Sequence, residues 1–182
     1  MEFSTITTRG GDEGVSSLAS GERRPKDDLV FEVLGDLDEL VSWLGVLKAS
    51  LAGSEFRLSD VLEEIQRRLF VLGAQVASVG KGDHRRSVSP DDVEELEKEE
   101  ADLLRKIPPL RGFVLPGENL ASGYADLARA VCRRVERSLV RYIRERGMTD
   151  LAEGQRYLNR LSDYLFVLAR YLGGGRSVPV TT

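Results

Sequence analysis

The chain has 182 residues, of which 41% are apolar and 31% charged, with a net charge of −4. That length suits one domain with a sizeable core, and the apolar fraction is too high for a disordered chain. A net negative charge excludes a molecule built as a whole for nucleic acid, so any anion site has to come from a local basic cluster. Cys132 and His84 are the only Cys and His, which rules out an internal disulfide and a Cys/His metal cage and suits a reducing compartment. No run of about 18 apolar residues offers a membrane span. The first residues, MEFSTITTRGG, lack the basic-then-apolar pattern of a secretory signal, so the expected address is the cytoplasm.

In chain order, TTRGGDEGVSSLASGERRPKDD (7–28) comes first. It is polar, Gly-rich and without helical or strand period, so its composition fits a flexible tail or a loop that wraps a ligand. Five segments then carry helical period, and none reads well as a strand. The first places Val30, Val33, Leu37, Leu40, Leu44, Leu47 and Leu51 on one stripe. The second does so with Leu58, Leu62, Ile65, Leu69, Leu72, Val76 and Val79. The third opens on Ser89 as N-cap, with Pro90 as first helical residue and Asp91 and Asp92 at the positive helix end. Its apolar face, Val93, Leu96 and Leu103, is thin. After the Pro-rich link IPPLRGFVLPGEN, a fourth helix from about Leu120 to Arg146 is expected to bury Tyr124, Leu127, Val131, Val135, Leu139 and Tyr142. A fifth, from about Glu153 to Leu172, carries Leu158, Leu161, Leu165, Leu168 and Leu172, and ends in GGG. Long helices joined by short links predict an all-α fold, a five-helix bundle with ferritin-like up-down packing. The irregular stretch 1–27 precedes the bundle at 28–172, and 173–182 forms a C-terminal tail, all within one domain, 1–182.

Three features are left over by the core stripes. Arg129, Arg133 and Glu136 share a face of the fourth helix, flanked by Arg134 and Arg137. A solvated face and an anion clamp both fit that pattern, since surface ion pairs are weak but arginine forks suit phosphate. On the fifth helix Asn159 and Asp163 share a face continued by Phe166 and Arg170. On the first, Asp38 stands in a strip with Leu34 and Val41 beside the core stripe. A helix apolar over so wide an arc packs against two partners; a carboxylate desolvated there calls for a cation, and the other reading is that Asp38 simply points to solvent.

Five blocks occur in a fixed order: TTRGGDEGVSSLASGERRPKDD, LGDLDEL, FVLPGE, ARAVCRRVER and YLNRLSDYLFVLARY. Together they resemble the PduO-type ATP:cob(I)alamin adenosyltransferases over nearly the whole chain, the last two blocks being the most specific. The resemblance implies an enzyme that transfers the 5′-deoxyadenosyl group of ATP to the cobalt of cob(I)alamin, giving adenosylcobalamin and triphosphate. It implies a homotrimer with active sites between subunits, and as partners a cob(II)alamin reductase and an adenosylcobalamin-dependent enzyme. The N-terminal stretch should wrap the triphosphate: Gly10, Gly11 and Gly14 through backbone N–H groups, Thr8, Arg9, Ser16 and Ser17 as donors, Lys26 as a point charge. Arg133, Arg134, Arg137, Glu136 and Asn159 should surround the nucleotide. Asp38 should pair with Arg129 of a neighbouring subunit. Phe113 should pack on the lower face of the corrin, with Asp163 and Phe166 also on the cobalamin side. Mg²⁺ is expected to be carried by ATP, without protein ligands. The sequence departs from the family pattern at Val41, Gly10, Glu13 and Glu118, which bears on nucleotide affinity and corrinoid preference. The alternative from another class is a non-catalytic adenosylcobalamin carrier or an ATP-sensing bundle.

Overall fold

In the computed structural model of the chain, the structure describes residues 7–51, 53, 55–78, 87–109, 112–175 and 178–180. Five α-helices make up the framework: α1 (Leu29–Ser50), α2 (Phe56–Ala77), α3 (Pro90–Leu104), α4 (Leu120–Arg146) and α5 (Ala152–Leu172). α1 packs between α2 and α4, and α5 packs between α4 and α3. One core runs through all five helices.

The expected stripes account for most of that core. All seven apolar residues of the α1 stripe are buried, as are the six of the α2 stripe up to Val76. Val79, like His84, lies outside the described residues. The helix ends follow local chemistry. Asp28 caps α1 by accepting from the Val30 N–H. Ser89 and Asp92 form a reciprocal capping box on α3, and Asn119 and Ser122 do the same on α4. Gly147 ends α4 at φ 69°, a left-handed position that glycine takes without a Cβ clash.

Two expectations need correction. Leu127 is not core: it is exposed. The buried face of α4 is rotated slightly and runs through Ala125, Ala128, Val131, Cys132, Val135, Leu139 and Tyr142. Small residues on that face let α5 approach closely. The same economy appears on α5, where a Cβ on Gly154 would overlap the Leu72 side chain of α2. Secondly, the N-terminal stretch is not free of strand. β1 (Val15–Ser17) and β2 (Arg23–Pro25) form an antiparallel hairpin in the register Val15↔Pro25, Ser16↔Arg24, Ser17↔Arg23. Three-residue strands are too short to show alternation in sequence. The hairpin closes through the Leu18 N–H on the Glu22 carbonyl at 2.8 Å, and Leu18, its one large apolar residue, is buried in the bundle core.

Candidate functional site

The hairpin is held against the bundle by charge. Arg24 pairs with Glu22 and Asp28, and Asp28 also receives Arg146 from the end of α4 at 3.1 Å. Above β1 the chain folds back on itself. Lys26 N–H donates to the Gly14 carbonyl at 2.8 Å, Arg23 donates to the Gly10 carbonyl at 3.0 Å, and the Gly10 N–H reaches Thr8 Oγ1 at 3.4 Å. Arg9 has φ 57° and Gly14 φ 77°. These left-handed residues close short turns whose N–H groups bond within the loop, Asp12 N–H to the Arg9 carbonyl at 3.3 Å and Gly14 N–H to the Gly11 carbonyl at 3.2 Å. A Cβ on Gly11 would lie 2.9 Å from Lys26 Nζ, so the ammonium rests on the open face of that glycine. Ser16 is half-buried in the hairpin and Ser17 exposed.

A second concave surface, of about 360 Å³, lies between α4 and α5 and is lined by Arg133, Glu136, Arg137, Val140 and Asn159. Here four of the nucleotide residues expected from the sequence meet. Asn159 Nδ2 donates to Glu136 Oε1 at 3.2 Å, and Asn159 Oδ1 accepts from Arg160 at 2.8 Å. Arg160 is itself braced by Glu97 of α3 at 2.7 Å. The asparagine is thus fixed in its flip state by partners on both sides. Arg137 donates to the Arg133 carbonyl, and both guanidinium groups are exposed. Among the described residues neither makes an ion pair. Two unpaired arginine forks one helical turn apart, with a carboxylate and an amide beside them, form a clamp for an anion that also offers donors and acceptors.

Arg134 takes a different position. It binds Asp36 at 3.0 Å and Glu39, both on α1, while Ser138 donates to the other Asp36 oxygen at 2.6 Å. It fastens α4 to α1 in its own chain and does not line the cavity.

Toward the start of α4 lies a network that the sequence pattern did not reveal. Arg170 is 1% exposed and pairs with Asp126 and, at 3.3 Å, with Glu118. It also donates to the Leu115 carbonyl at 3.4 Å and lies 5.4 Å over the Phe166 ring. Asp126 in turn meets Arg129 at 3.6 Å. Glu118 therefore points into this network. In sequence Asp126 is an ordinary polar residue of an amphipathic helix, and only its i, i+3 spacing to Arg129 marks the pair. Among the described residues Arg129 keeps a buried Nε without a hydrogen-bond partner. Asp38 is exposed on α1, beside an apolar groove formed with Leu34, Val41, Leu69, Phe70 and Gly73. Within one chain Asp38 and Arg129 are not joined.

Phe113 is 88% exposed, on the link that the Arg170 network anchors. Asp163 is exposed and Phe166 half-buried, on the α5 face that continues from Asn159. Asp163 stands near Glu100 and raises the Glu100 carboxyl above its usual range, an effect second to desolvation of Glu100 itself. Cys132 is buried with its thiol against the Leu158 carbonyl, and burial pushes its ionisation far up, so it supplies no thiolate.

A family model for cobalamin adenosyltransferase matches residues 6–172. The corrinoid adenosyltransferase of Citrobacter freundii is 43% identical over 167 residues, spanning 91% of this chain and 93% of its own. The human corrinoid adenosyltransferase MMAB is 40% identical over 171 residues, 91% of this chain and 68% of that protein. Among solved structures, a phenylalanine-to-alanine variant of the PduO-type ATP:corrinoid adenosyltransferase from Lactobacillus reuteri, complexed with cobalamin and ATP, matches with a TM-score of 0.88 at 30% identity, over 97% of this chain and 99% of that one. An arginine-to-lysine variant of the Lactobacillus reuteri enzyme, complexed with ATP, also gives 0.88, at 29% identity, over 97% of this chain and all of that one. With a family model covering nearly the whole helical framework and relatives this similar, the chain belongs to the cobalamin adenosyltransferase family.

Proposed function

We propose that the chain is an ATP:corrinoid adenosyltransferase that makes adenosylcobalamin. The observation that carries the reading is the cavity in which Arg133, Glu136, Arg137 and Asn159 converge, with no ion pair to either arginine among the described residues. In the reaction the electron pair of cobalt(I) forms a bond to the ribose 5′ carbon of ATP. The bond from that carbon to the triphosphate oxygen breaks, and inorganic triphosphate leaves with the electron pair. No proton has to move, so no general base is needed. What the protein must provide is alignment of carbon and metal and stabilisation of charge gathering on the leaving group.

Arg133 and Arg137 supply that stabilisation from α4, and Lys26 from the N-terminal stretch. The turns around Gly10, Gly11 and Gly14, with Thr8, Arg9, Ser16 and Ser17, wrap the triphosphate chain. Glu136 and Asn159, fixed by one another and by Arg160, orient the nucleoside. Among the described residues no group of three or more His, Cys, Asp or Glu could hold a metal ion. Mg²⁺ would come bound to ATP and add positive charge beside the leaving group. The corrin ring lies against Phe113, with Asp163 and Phe166 along the same side; an apolar ring there keeps water from the lower axial position of cobalt. The enzyme acts as a homotrimer in which Asp38 of one subunit meets Arg129 of the next.

The test is turnover. ATP, Mg²⁺, cobalamin and a strong reductant are incubated with the protein while the corrinoid spectrum and released triphosphate are followed. Formation of adenosylcobalamin with one triphosphate each supports the reading. Tight binding of both substrates without triphosphate would make the protein a carrier or sensor.

A further inference from the structure

Asn159 and Arg160 are neighbours on α5, and side chains at i and i+1 of a helix point about 100° apart. They meet all the same: Arg160 Nη1 donates to Asn159 Oδ1 at 2.8 Å. The guanidinium has to fold back along its own helix to do so. What holds it there comes from α3, where Glu97 Oε1 accepts from Arg160 Nε at 2.7 Å. Glu100 of α3 and Asp163 of α5 also act on this guanidinium, and the Glu97 hydrogen bond leads the carboxylates in raising its ionisation above the usual range. One cation is thus kept in one place by acids on two helices.

The contact decides how the Asn159 amide is turned. Arginine carries donors only, so the Asn159 atom that faces it must be the oxygen. Nδ2 is then left for Glu136, to which it donates at 3.2 Å. Without Arg160 the amide is free to turn over, and its oxygen would face the Glu136 carboxylate with no proton between them. With Arg160 in place, the second Nδ2 hydrogen and Glu136 Oε2 have no partner among the described residues and are left for a ligand. The fold does not depend on the brace. The Arg160 and Glu97 side chains are 34% and 43% exposed, and ion pairs open to water add little stability.

We infer that Glu97 and Arg160 are positioning residues for the nucleoside end of ATP, with α3 as the brace that sets the Asn159 amide. This rests on the reading of the α4–α5 cavity as the nucleotide site, and it adds a helix that lines no part of that cavity. Arg133 and Arg137 make no bond to the brace among the described residues. The triphosphate half of ATP and the base-and-sugar half are therefore held by separable groups, and the brace acts on the second half alone. An ordinary surface ion pair would end at its two charges, whereas this one ends on an amide inside the site.

The test uses the full chain with ATP as the varied substrate, and inorganic triphosphate as a competitive inhibitor that probes the arginine clamp alone. Arg160→Met, which keeps the stem and loses the donors, should raise KM for ATP about tenfold, the size of one lost charge-assisted hydrogen bond. Glu97→Gln should raise it about threefold, because the amide oxygen still accepts from Arg160 Nε. The double variant should match Arg160→Met, since Glu97 acts only through Arg160. The inhibition constant for triphosphate, KM for cob(I)alamin and the melting curve should stay at parental values, a combination that a merely structural role would not give. An unchanged KM for ATP in Arg160→Met, an equal rise in the triphosphate constant, or additive effects in the double variant would overturn the assignment. Should Arg160→Met fail to fold, Glu97→Gln carries the same comparison. Asn159→Ala in parallel separates the two readings. If it raises KM for ATP and the brace variants do not, the brace alone is wrong; if it too has no effect, the reading of the cavity fails with it.

Discussion

At the scale of single residues, placement separates arginines that look alike in sequence. The run Cys132-Arg133-Arg134-Val135-Glu136-Arg137 puts three guanidinium groups on one turn and a half of helix. Arg134 is satisfied by Asp36 and Glu39, whereas Arg133 and Arg137 face an open cavity. Arg133→Ala should therefore lower kcat by about 10²- to 10³-fold, the usual consequence of losing one preorganised donor to a developing anion. The melting temperature should hardly move, since the side chain is exposed and makes no ion pair among the described residues. Near-normal kcat in steady-state kinetics would remove Arg133 from the triphosphate site. Glu100 gives a prediction with a pH signature. Its carboxyl is raised above the ordinary value of 4.5, first by desolvation and then by Asp163 and Glu97, against the opposing pull of Arg160. A raised folded pKa means a stability contribution present below 4.5 and lost as pH climbs through the folded value. Glu100→Gln should thus melt higher than the parent at pH 7, and the gap should close below about pH 4. Calorimetry at the two pH values checks it, and a gap that widens on acidification would reverse the assigned cause. Residues of this kind were only partly legible in the sequence. The arginine face was visible from spacing, but which arginine is spent on α1 depends on a contact 98 positions away.

At the scale of elements, periodicity located the five helices well because each buries a stripe, and burial is what periodicity reports. It placed the α4 stripe one position off at Leu127, because alanines and Cys132 do the close packing there and carry little hydrophobic signal. It missed the hairpin entirely, since three-residue strands held by turn geometry and one buried leucine leave no alternation to read. That hairpin is also the element with most to reveal about ATP. The Lys26 ammonium rests over Gly11, so Gly11→Ala forces a flexible side chain aside rather than the backbone. Stability should change by less than about 1 kcal/mol, since only the end of a surface lysine must give way. Affinity for ATP should fall several-fold, because a point charge and a backbone approach are both displaced. Isothermal titration with ATP, beside a melting curve, separates the two. A companion measurement is limited proteolysis across residues 7–28, where saturating ATP should slow cleavage in the parent and protect the Gly11 variant less. Equal cleavage with and without ATP would show that the stretch does not close on the nucleotide.

At the scale of the whole molecule, one chain leaves two features incomplete that a second copy would complete. The groove of Leu34, Val41, Leu69, Phe70 and Gly73 is apolar, and Phe70 at its edge is 68% exposed. Asp38 stands on that groove without an ion pair among the described residues. On α4, the buried Nε of Arg129 makes no hydrogen bond among the described residues and only a 3.6 Å ion contact with Asp126, a carboxylate that Arg170 already claims. A closed three-fold ring would let the groove of one subunit cover its neighbour's α4 face and bring Asp38 to Arg129. If that pair is desolvated, Asp38→Ala removes one partner of a buried ion pair, a loss on the order of 3–5 kcal/mol. It should appear as weaker assembly, lower turnover, or both. Asp38→Asn keeps the shape and one acceptor, so it should be the milder change. Sedimentation of the parent and both variants, with activity at matched concentration, tests this directly. A monomeric parent would end the interface argument. A trimer indifferent to both substitutions would leave the interface standing but take Asp38 out of it, and Arg129 would then keep, among the described residues, its contact with Asp126.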